Sequence, residues 1–325
     1  MMRHPEYLFI VNPLSGAGKG EMIGKLLSSI LPEHPVLKEG AGQVLIANAL
    51  ARDALTELLS KVEVVIAVGG DGTVSHLLPH MLGCAPPPAI GMIPLGTSND
   101  LARALGISVR DDYTDERVLR KTIDRILSAK HEKLDVLCVN EKMFFCNYFS
   151  IGLDAAIVGD FDNVRKARWV KLLPSGRLTN NFLYFLMGLK NAGFYLEPPI
   201  EILCGERGEE HRIRIDTRIR AIIISNLPFY AGGCHICPDA RKDDALFEVT
   251  IIRKTYHYLM LIATRFLPFL SIPRAATQYR TQKALIRSSF RSPHQIDGEK
   301  GSDLESGERS LTISFHTGLH VLAFR

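Results

Sequence analysis

Val62-Glu63-Val64-Val65-Ile66-Ala67-Val68-Gly69-Gly70-Asp71-Gly72-Thr73 is the stretch whose reading decides how this chain folds. Residues 62–68 form a β-branched, apolar run and read as a strand; residues 74–82, beyond the turn, read as a helix. Three glycines at the strand's carboxyl end let backbone come close to a phosphate. The helix that follows presents N–H groups without intrahelical partners, together with a favourable dipole. Asp71 does not itself suit a phosphate, so its carboxylate is expected either to serve a magnesium shell or to fix the loop by accepting N–H bonds.

The same punctuation recurs on both sides. Residues 7–11 and 89–93 are short apolar runs, each followed by a turn rich in Gly, Ser and Asn. That is the pattern of an α/β unit with parallel strands, in which ligands bind at the carboxyl ends. The first turn, Asn12-Pro13-Leu14-Ser15-Gly16-Ala17-Gly18-Lys19, is rich in residues that turn N–H groups toward an anion. It is not a Walker A loop, because Pro13 stands where that pattern needs glycine and Gly20 where it needs Ser or Thr; a plain turn competes with the binding reading. The third turn, Pro94-Leu95-Gly96-Thr97-Ser98-Asn99-Asp100-Leu101-Ala102-Arg103, holds the helix-capping types Ser98, Asn99 and Asp100, so a capped helix accompanies any other role. Leu119, Ile123, Ile126 and Leu127 then mark an amphipathic helix across residues 115–130, and the first domain is expected to close at residue 130.

Beyond it the texture changes. Residues 133–139, a polar turn at Asn140-Glu141-Lys142 and residues 143–147 read as a hairpin, and residues 212–225, 246–253, 311–316 and 320–324 are β-rich. Helical patterns interrupt them around residues 182–196 and 256–270. The predicted fold is therefore α/β: a three-layer N-terminal domain with a parallel sheet, residues 1–130, and a mostly antiparallel C-terminal β-sandwich, residues 131–325, whose last strand is placed to pack back on the first domain. Asp297-Gly298-Glu299 reads, by itself, as an acidic hairpin turn.

At 325 residues two domains are the natural expectation, and 46% hydrophobic with 23% charged residues is ordinary for a folded globular chain. The 39 Lys and Arg against 35 Asp and Glu leave +4, too slight to argue nucleic-acid binding and compatible with an anionic membrane surface. Apolar runs such as residues 64–68 and 221–224 fall far short of the roughly 18 residues that span a bilayer, so no crossing is expected. Residues 1–6 carry no signal-like pattern, and six scattered cysteines suit reduced thiols, so a cytoplasmic protein is expected. Cys234 and Cys237 form a C-x-x-C, yet no second pair completes four ligands and His235 lies inside the motif, so zinc, redox chemistry and haem attachment are not expected there.

Residues 12–16 (N-P-x-S-G), 69–73 (G-G-D-G-T), 94–100 (P-x-G-T-x-N-D) and 297–299 (D-G-E) together resemble, in order, the motifs of the diacylglycerol kinase catalytic family, which includes sphingosine and ceramide kinases and bacterial lipid kinases. Residues 147–152 (N-Y-F-S-I-G), Asp135 and residues 238–244 (P-D-A-R-K-D-D) extend the resemblance over nearly the whole chain. It implies ATP-dependent phosphorylation of a lipid hydroxyl, on a diacylglycerol-like, sphingoid or phosphatidylglycerol-like substrate, in a cleft between a nucleotide domain and a sandwich that takes the lipid. ATP would be held by Asn12, Pro13, Ser15, Gly16, Gly69, Gly70, Asp71, Gly72, Thr73, Thr97 and Asn99. Asp71, Asp100 and Asp135 would form a water- and magnesium-linked acidic network, with Glu299 as the base and Asp297 supporting it. A carboxylate against an alcohol accepts its proton as the γ-phosphoryl group transfers in line, while magnesium offsets oxygen charge. In bacterial members a second, structural Mg2+ is held by an Asp and nearby carbonyls; by motif match these are Asp244 and the carbonyls of Arg241 and Leu246.

The chain also departs from the family. Ser75 and His76 stand where Asn and Glu are usual, Ala245 stands where glycine is usual, and residues 42–55 lack the Thr and acidic character that helps position adenine. A lipid must be reached from a bilayer surface. Arg165, Lys166, Arg168 and Lys171 around Trp169, and residues 256–270, interrupted by Arg265 and Pro268, are the candidate interfacial segments. Their ordinary readings are a solvated basic helix face and a buried core helix. The expected partner is thus a lipid presented at the inner membrane face, with peripheral contact and no nucleic acid, and a homodimer is compatible with the sequence. Two rivals remain: an NAD-kinase type, opposed by the third and fourth motifs, and a non-catalytic lipid- or nucleotide-binding homologue, motivated by Ser75 and His76 and opposed by Glu299.

Overall fold

The computed structural model describes residues 6–37, 40–46, 52–165, 167, 170, 177–206, 209–265, 267, 277–288, 293–301 and 310–324. The chain divides into two compact units, one of Met1–Leu134 with Leu319–Arg325 and one of Asp135–Gly318.

The first unit runs β1 (Tyr7–Val11), α1 (Lys19–Ile30), β2 (Gly42–Ile46), α2 (Arg52–Leu59), β3 (Val64–Gly69), α3 (Asp71–Leu82), β4 (Ala89–Pro94), α4 (Asp100–Ala104) and α5 (Glu116–Leu127). Its strands pair in parallel in the order β2-β1-β3-β4. Every residue of β3 and β4 is buried, which is why both read as unbroken apolar runs rather than alternating ones. Winding goes from β1 outward to β2 and from β3 the opposite way to β4, so the switch point lies between β1 and β3. The turns after those two strands are the glycine-rich ones. Asp115 caps α5 by accepting the Arg117 N–H at 2.8 Å, and the stripe Leu119, Ile123 and Ile126 is buried.

The chain passes into the second unit within β5 (Lys130–Val139), which pairs antiparallel with β6 (Met143–Phe145) across a turn with Asn140 and Glu141 at φ 51° and 57°. Then come β7 (Tyr148–Gly152), α6 (Leu153–Arg165), α7 (Arg177–Lys190), β8 (Ile200–Glu206), β9 (Glu209–Ile215) and β10 (Ala221–Ser225). A short hairpin, β11 (Phe229–Tyr230) and β12 (Cys234–His235), precedes β13 (Phe247–Ile252) and α8 (Thr255–Ala263). The remaining strands are β14 (Thr277–Thr281), β15 (Lys283–Ser288), β16 (His294–Ile296), β17 (Glu299–Lys300) and β18 (Ser310–Ala323).

One antiparallel sheet has the order β14-β13-β10-β7-β16-β17, and residues 310–314 of β18 pair antiparallel with β15, then β8, then β9. Phe149, Ile222, Ile224 and Val249 from the former pack with Ile202, Ile286 and Ile313 from the latter in one buried cluster, the core of a sandwich.

Three elements differ from the sequence reading. Residues 311–316 and 320–324 belong to one 14-residue strand, β18, because several neighbours hold it: β15 pairs its first half, β5 pairs with it as well, and β4 meets Val321. The helix expected at 182–196 starts earlier and ends at Lys190, since Leu196 leaves helical geometry to bridge Ile219. Residues 153–165, read as no element, are helical and bury Ala155, Ile157, Val158 and Phe161. Lys166, Arg168, Trp169, Lys171, residues 47–51 and residues 268–270 lie outside the described residues. Among the described residues no helix is long and apolar enough to cross a membrane.

Candidate active site

Within the first unit, the turns after β1, β3 and β4 hold one another. Asn12 Oδ1 accepts the Leu14 N–H at 3.1 Å and the Asn12 carbonyl accepts the Ser15 N–H at 3.1 Å, closing the turn that carries Pro13, Ser15 and Gly16. Asn12 Nδ2 lies 3.5 Å from Thr73 Oγ1, linking the first turn to the second. The second and third turns touch through glycines: the Gly69 carbonyl accepts the Leu95 N–H at 2.7 Å, and a Cβ on Gly96 would fall 2.6 Å from the Gly70 Cα. No side chain fits at Gly96, so Gly69, Gly70 and Gly72 on one side and Gly96 and Thr97 on the other form a backbone-lined corner at the N-terminus of α3.

Asp71, the first residue of α3, is buried, and its carboxylate accepts the N–H groups of Asp100 at 2.9 Å and Leu101 at 3.3 Å. Of the two roles the sequence leaves open, these are the bonds of the loop-fixing one; they cap the first turn of α4. Asp100 is fully buried, 3.6 Å from Arg103 Nε. Asn99 sits in the left-handed region at φ 53°, only 1% exposed, with its Nδ2 donating to the Gly96 carbonyl at 2.7 Å. Its Oδ1 has no hydrogen-bond partner among the described residues. A buried amide oxygen left this way is destabilising unless a donor from outside the chain meets it. Ser75 and His76 lie one turn into α3, half-buried and exposed, with the His76 ring edge-on to His80.

Within the second unit, residues 135, 147–152 and 297–299 come together around buried polar groups. Asp297 and Gly298, at φ 49° and 85°, form the turn between β16 and β17. The buried Asp297 carboxylate reaches back to β7, accepting the N–H groups of Asn147 at 3.0 Å and Tyr148 at 3.1 Å. Two residues on, Glu299 is exposed. Asn226 donates through Nδ2 to the carbonyls of Asp135 at 2.9 Å and Cys146 at 2.8 Å, tying β5 to the start of β7.

The Asp135 carboxylate accepts the Ala245 N–H at 2.6 Å, but burial, with Asp244 and Asp243 adding repulsion, pushes its pKa up to about 6. Asp244 accepts the Leu246 N–H at 3.0 Å on one oxygen and is paired with the Arg280 guanidinium on the other. Arg280 in turn stands opposite Glu248 across β13 and β14, with Nε 3.8 Å from that carboxylate. The hard oxygens of Asp135, Asp243 and Asp244 have the chemistry a magnesium ion prefers. At Asp244 itself a guanidinium already meets the oxygen such an ion would take, and no cluster of three His, Cys, Asp or Glu among the described residues is disposed to hold a metal.

Sequence reasoning passed over a second buried carboxylate. Asp154, in the first turn of α6, accepts Tyr230 OH at 2.6 Å, Gln295 Nε2 at 3.0 Å and the Ser150 hydroxyl, so β7, β16 and the β11–β12 hairpin all meet there. It stands two residues past the N-Y-F-S-I-G segment, whose Ser150 is one of its donors, but the other two, Tyr230 and Gln295, come from across the unit and leave no local spacing to read. Beside it, α6, the end of α7 and the β16–β17 hairpin line an open hollow of about 410 Å³ whose walls include Asp160, Asn163, Asn191, His294 and Lys300.

Residues 6–139 match the family model of the diacylglycerol kinase catalytic domain, and residues 144–300 that of the diacylglycerol kinase accessory domain. The eye-specific diacylglycerol kinase of Drosophila melanogaster is 29% identical over 331 residues, covering 90% of this chain and 21% of that protein. Diacylglycerol kinase 2 of Arabidopsis thaliana is 27% identical over 315 residues, covering 90% of this chain and 43% of that protein. The chain therefore spans less than half the length of these relatives. A diacylglycerol kinase from Bacillus anthracis str. Sterne of known crystal structure superposes with a TM-score of 0.63 at 16% identity, over 99% of this chain and 98% of that one, a likeness of fold.

Proposed function

Because the chain belongs to the diacylglycerol kinase family, we propose that it is a lipid kinase that moves the γ-phosphate of ATP onto a lipid hydroxyl. The observation that carries this reading is the glycine-to-glycine contact of the second and third turns, which uncovers backbone at a helix N-terminus beside the sheet's switch point, next to the unpartnered Asn99 Oδ1. In this reading Asn12, Pro13, Ser15 and Gly16, then Gly69, Gly70, Asp71, Gly72 and Thr73, then Thr97 and Asn99 surround the nucleotide's phosphates. Residues 1–130 serve ATP and residues 131–325 serve the lipid. Asp71, Asp100 and Asp135 are the residues that would hold the water shell of a magnesium ion, which when bound neutralises charge on the phosphoryl oxygens.

The exposed Glu299 carboxylate takes the proton of the acceptor hydroxyl as that oxygen bonds to phosphorus and ADP leaves. Asp297 keeps the hairpin seated by its bonds to the Asn147 and Tyr148 amides. The lipid's polar head would lie at the open hollow beside Lys300, the residue after Glu299. A second Mg2+ at Asp244 and the carbonyls of Arg241 and Leu246 would have to displace the Arg280 guanidinium.

Radiolabelled ATP offered with diacylglycerol, sphingosine, ceramide, phosphatidylglycerol and NAD in parallel tests the reading. Label is expected in one lipid, and Glu299→Gln is expected to lower its transfer by about a hundredfold or more with nucleotide binding retained. Label in NAD would make the chain an NAD-kinase type; ATP binding with no transfer to any acceptor would make it a binding homologue.

A further inference from the structure

Residues 243–248 bring the carboxylates of Asp243, Asp244 and Glu248 to the start of β13, and the Ala245 N–H ties Asp135 to the same loop at 2.6 Å. Acids gathered this closely repel one another unless cations stand among them. Asp243 has two from its own loop, with Arg241 Nε at 3.7 Å and Lys242 Nζ at 3.9 Å. Asp244 and Glu248 share a third that comes from the neighbouring strand. The Arg280 guanidinium is paired with Asp244 Oδ2 through Nη2, and its Nε lies 3.8 Å from Glu248.

The strand itself sets that reach. Alternation along β14 turns Tyr279 and Thr281 to the core, where Tyr279 packs on the buried cluster and the Thr281 hydroxyl lies 2.8 Å from the carbonyls of Gly205 and Lys283. Arg280 therefore projects from the other face, directly opposite Glu248 in the register. Beside it on that face Gln278 is fixed, its Nε2 donating to the Ile236 carbonyl at 2.8 Å and the Thr250 hydroxyl at 3.2 Å. The side chain of Arg280 is 45% exposed against 18% for Asp244 and 12% for Glu248, so the cation lies over two acids set deeper than itself.

This arrangement does not fit the second, structural magnesium ion that the resemblance implies. Both Asp244 oxygens are engaged, Oδ1 by the Leu246 N–H at 3.0 Å and Oδ2 by the guanidinium. A magnesium ion sits about 2.1 Å from each of its oxygens, and on Oδ2 it would be held a few ångströms from the Arg280 charge. We infer that Arg280 is the resident cation of this loop in place of a divalent ion, and that a divalent site exists there only once Arg280 is removed. The inference concerns the second unit's stability and does not depend on the chain being a lipid kinase.

Thermal melts of the full, nucleotide-free chain in EDTA and in about 5 mM magnesium chloride test it. The wild type is expected to melt at one temperature in both. Arg280→Gln is expected to melt about 3 °C or more lower in EDTA and to recover most of that loss in magnesium. Adding Asp244→Asn to it is expected to abolish the recovery. Arg280→Lys, which keeps a cation, is expected to lose less than Arg280→Gln and to stay indifferent to magnesium. The wild-type and Arg280→Lys arms decide the matter even where Arg280→Gln does not fold. The inference is overturned if magnesium raises the wild-type melting temperature and Asp244→Asn removes that rise, because the ion then takes the carboxylate with Arg280 in place. It is equally overturned if Arg280→Gln melts as the wild type does, or if its loss is not restored by magnesium, which would leave Arg280 an ordinary ion pair. Absence of label transfer to any lipid would remove the kinase reading and leave the cation's role as it is.

Discussion

Gly96 concentrates the chemistry of the first unit at a single atom that is not there. A methyl group at this position would lie 2.6 Å from both the Gly70 Cα and Asn99 Oδ1, distances that real Cβ contacts do not reach, and neither neighbour is the loose end of a flexible side chain. The third turn must then shift away from the second, and the bond from the Leu95 N–H to the Gly69 carbonyl that holds them together must lengthen. Gly96→Ala is thus expected to weaken ATP binding by at least about tenfold, since aligned backbone donors are what an anion site supplies. The rest of the fold should persist, because β4 is buried along its whole length before the turn begins. Calorimetric titration with ATP, alongside a thermal melt, checks this: wild-type affinity in the variant would mean that the glycine contact has nothing to do with the nucleotide.

At the scale of the element, α8 pairs an outward apolar stripe with an inward histidine. Both ring nitrogens of His257 are buried and have no hydrogen-bond partner among the described residues; burial first, then Lys254 and Arg253, hold its pKa below the ordinary 6.5. The unfolded chain therefore binds a proton below about pH 6.5 that the folded chain does not, so the contribution to stability is fully present above that value and is lost as pH falls. The melting temperature is expected to drop more steeply between pH 7 and 5 in the wild type than in His257→Leu, and equal slopes would show that the ring is protonated in place. Nothing in the periodicity of residues 256–270 distinguishes the two faces of this helix, because apolar residues occupy both; only the packing does. Elements with a one-sided pattern, such as α5 with Leu119, Ile123 and Ile126 buried, were legible in full. So were the glycine turns, whose residue types answer a local backbone demand. Asn226, Asp154 and Tyr230 were not legible, because a polar residue that closes a distant carbonyl or hydroxyl has no neighbour in sequence to announce it.

At the scale of the whole molecule, the chain's last residues belong to its first unit. Leu319, Val321, Leu322 and Phe324 are all buried; Val321 pairs with Ile90 of β4, the Phe324 N–H donates to the Leu105 carbonyl at 2.9 Å, and Arg125 lies over the Phe324 ring. The sequence reading placed the last strand, residues 320–324, against the first domain without naming the strand it pairs with, since β pairing across more than two hundred residues has no local signature. The consequence is that the first unit cannot be complete until the whole chain is available. Burial of such side chains contributes about 1.5–3 kcal/mol each as an upper estimate, so removing residues 319–325 is expected to withdraw roughly 5 kcal/mol or more from the unit that carries the glycine turns. That is comparable to the whole stability of a typical domain, about 5–15 kcal/mol. The truncated chain is expected to melt at a markedly lower temperature and to be cut by protease first within residues 6–134, while the sandwich core around Phe149, Ile224 and Ile313 stays protected. If the truncated and full-length chains give the same melt and the same cleavage map, β18 does not complete the parallel sheet as its pairing with β4 indicates.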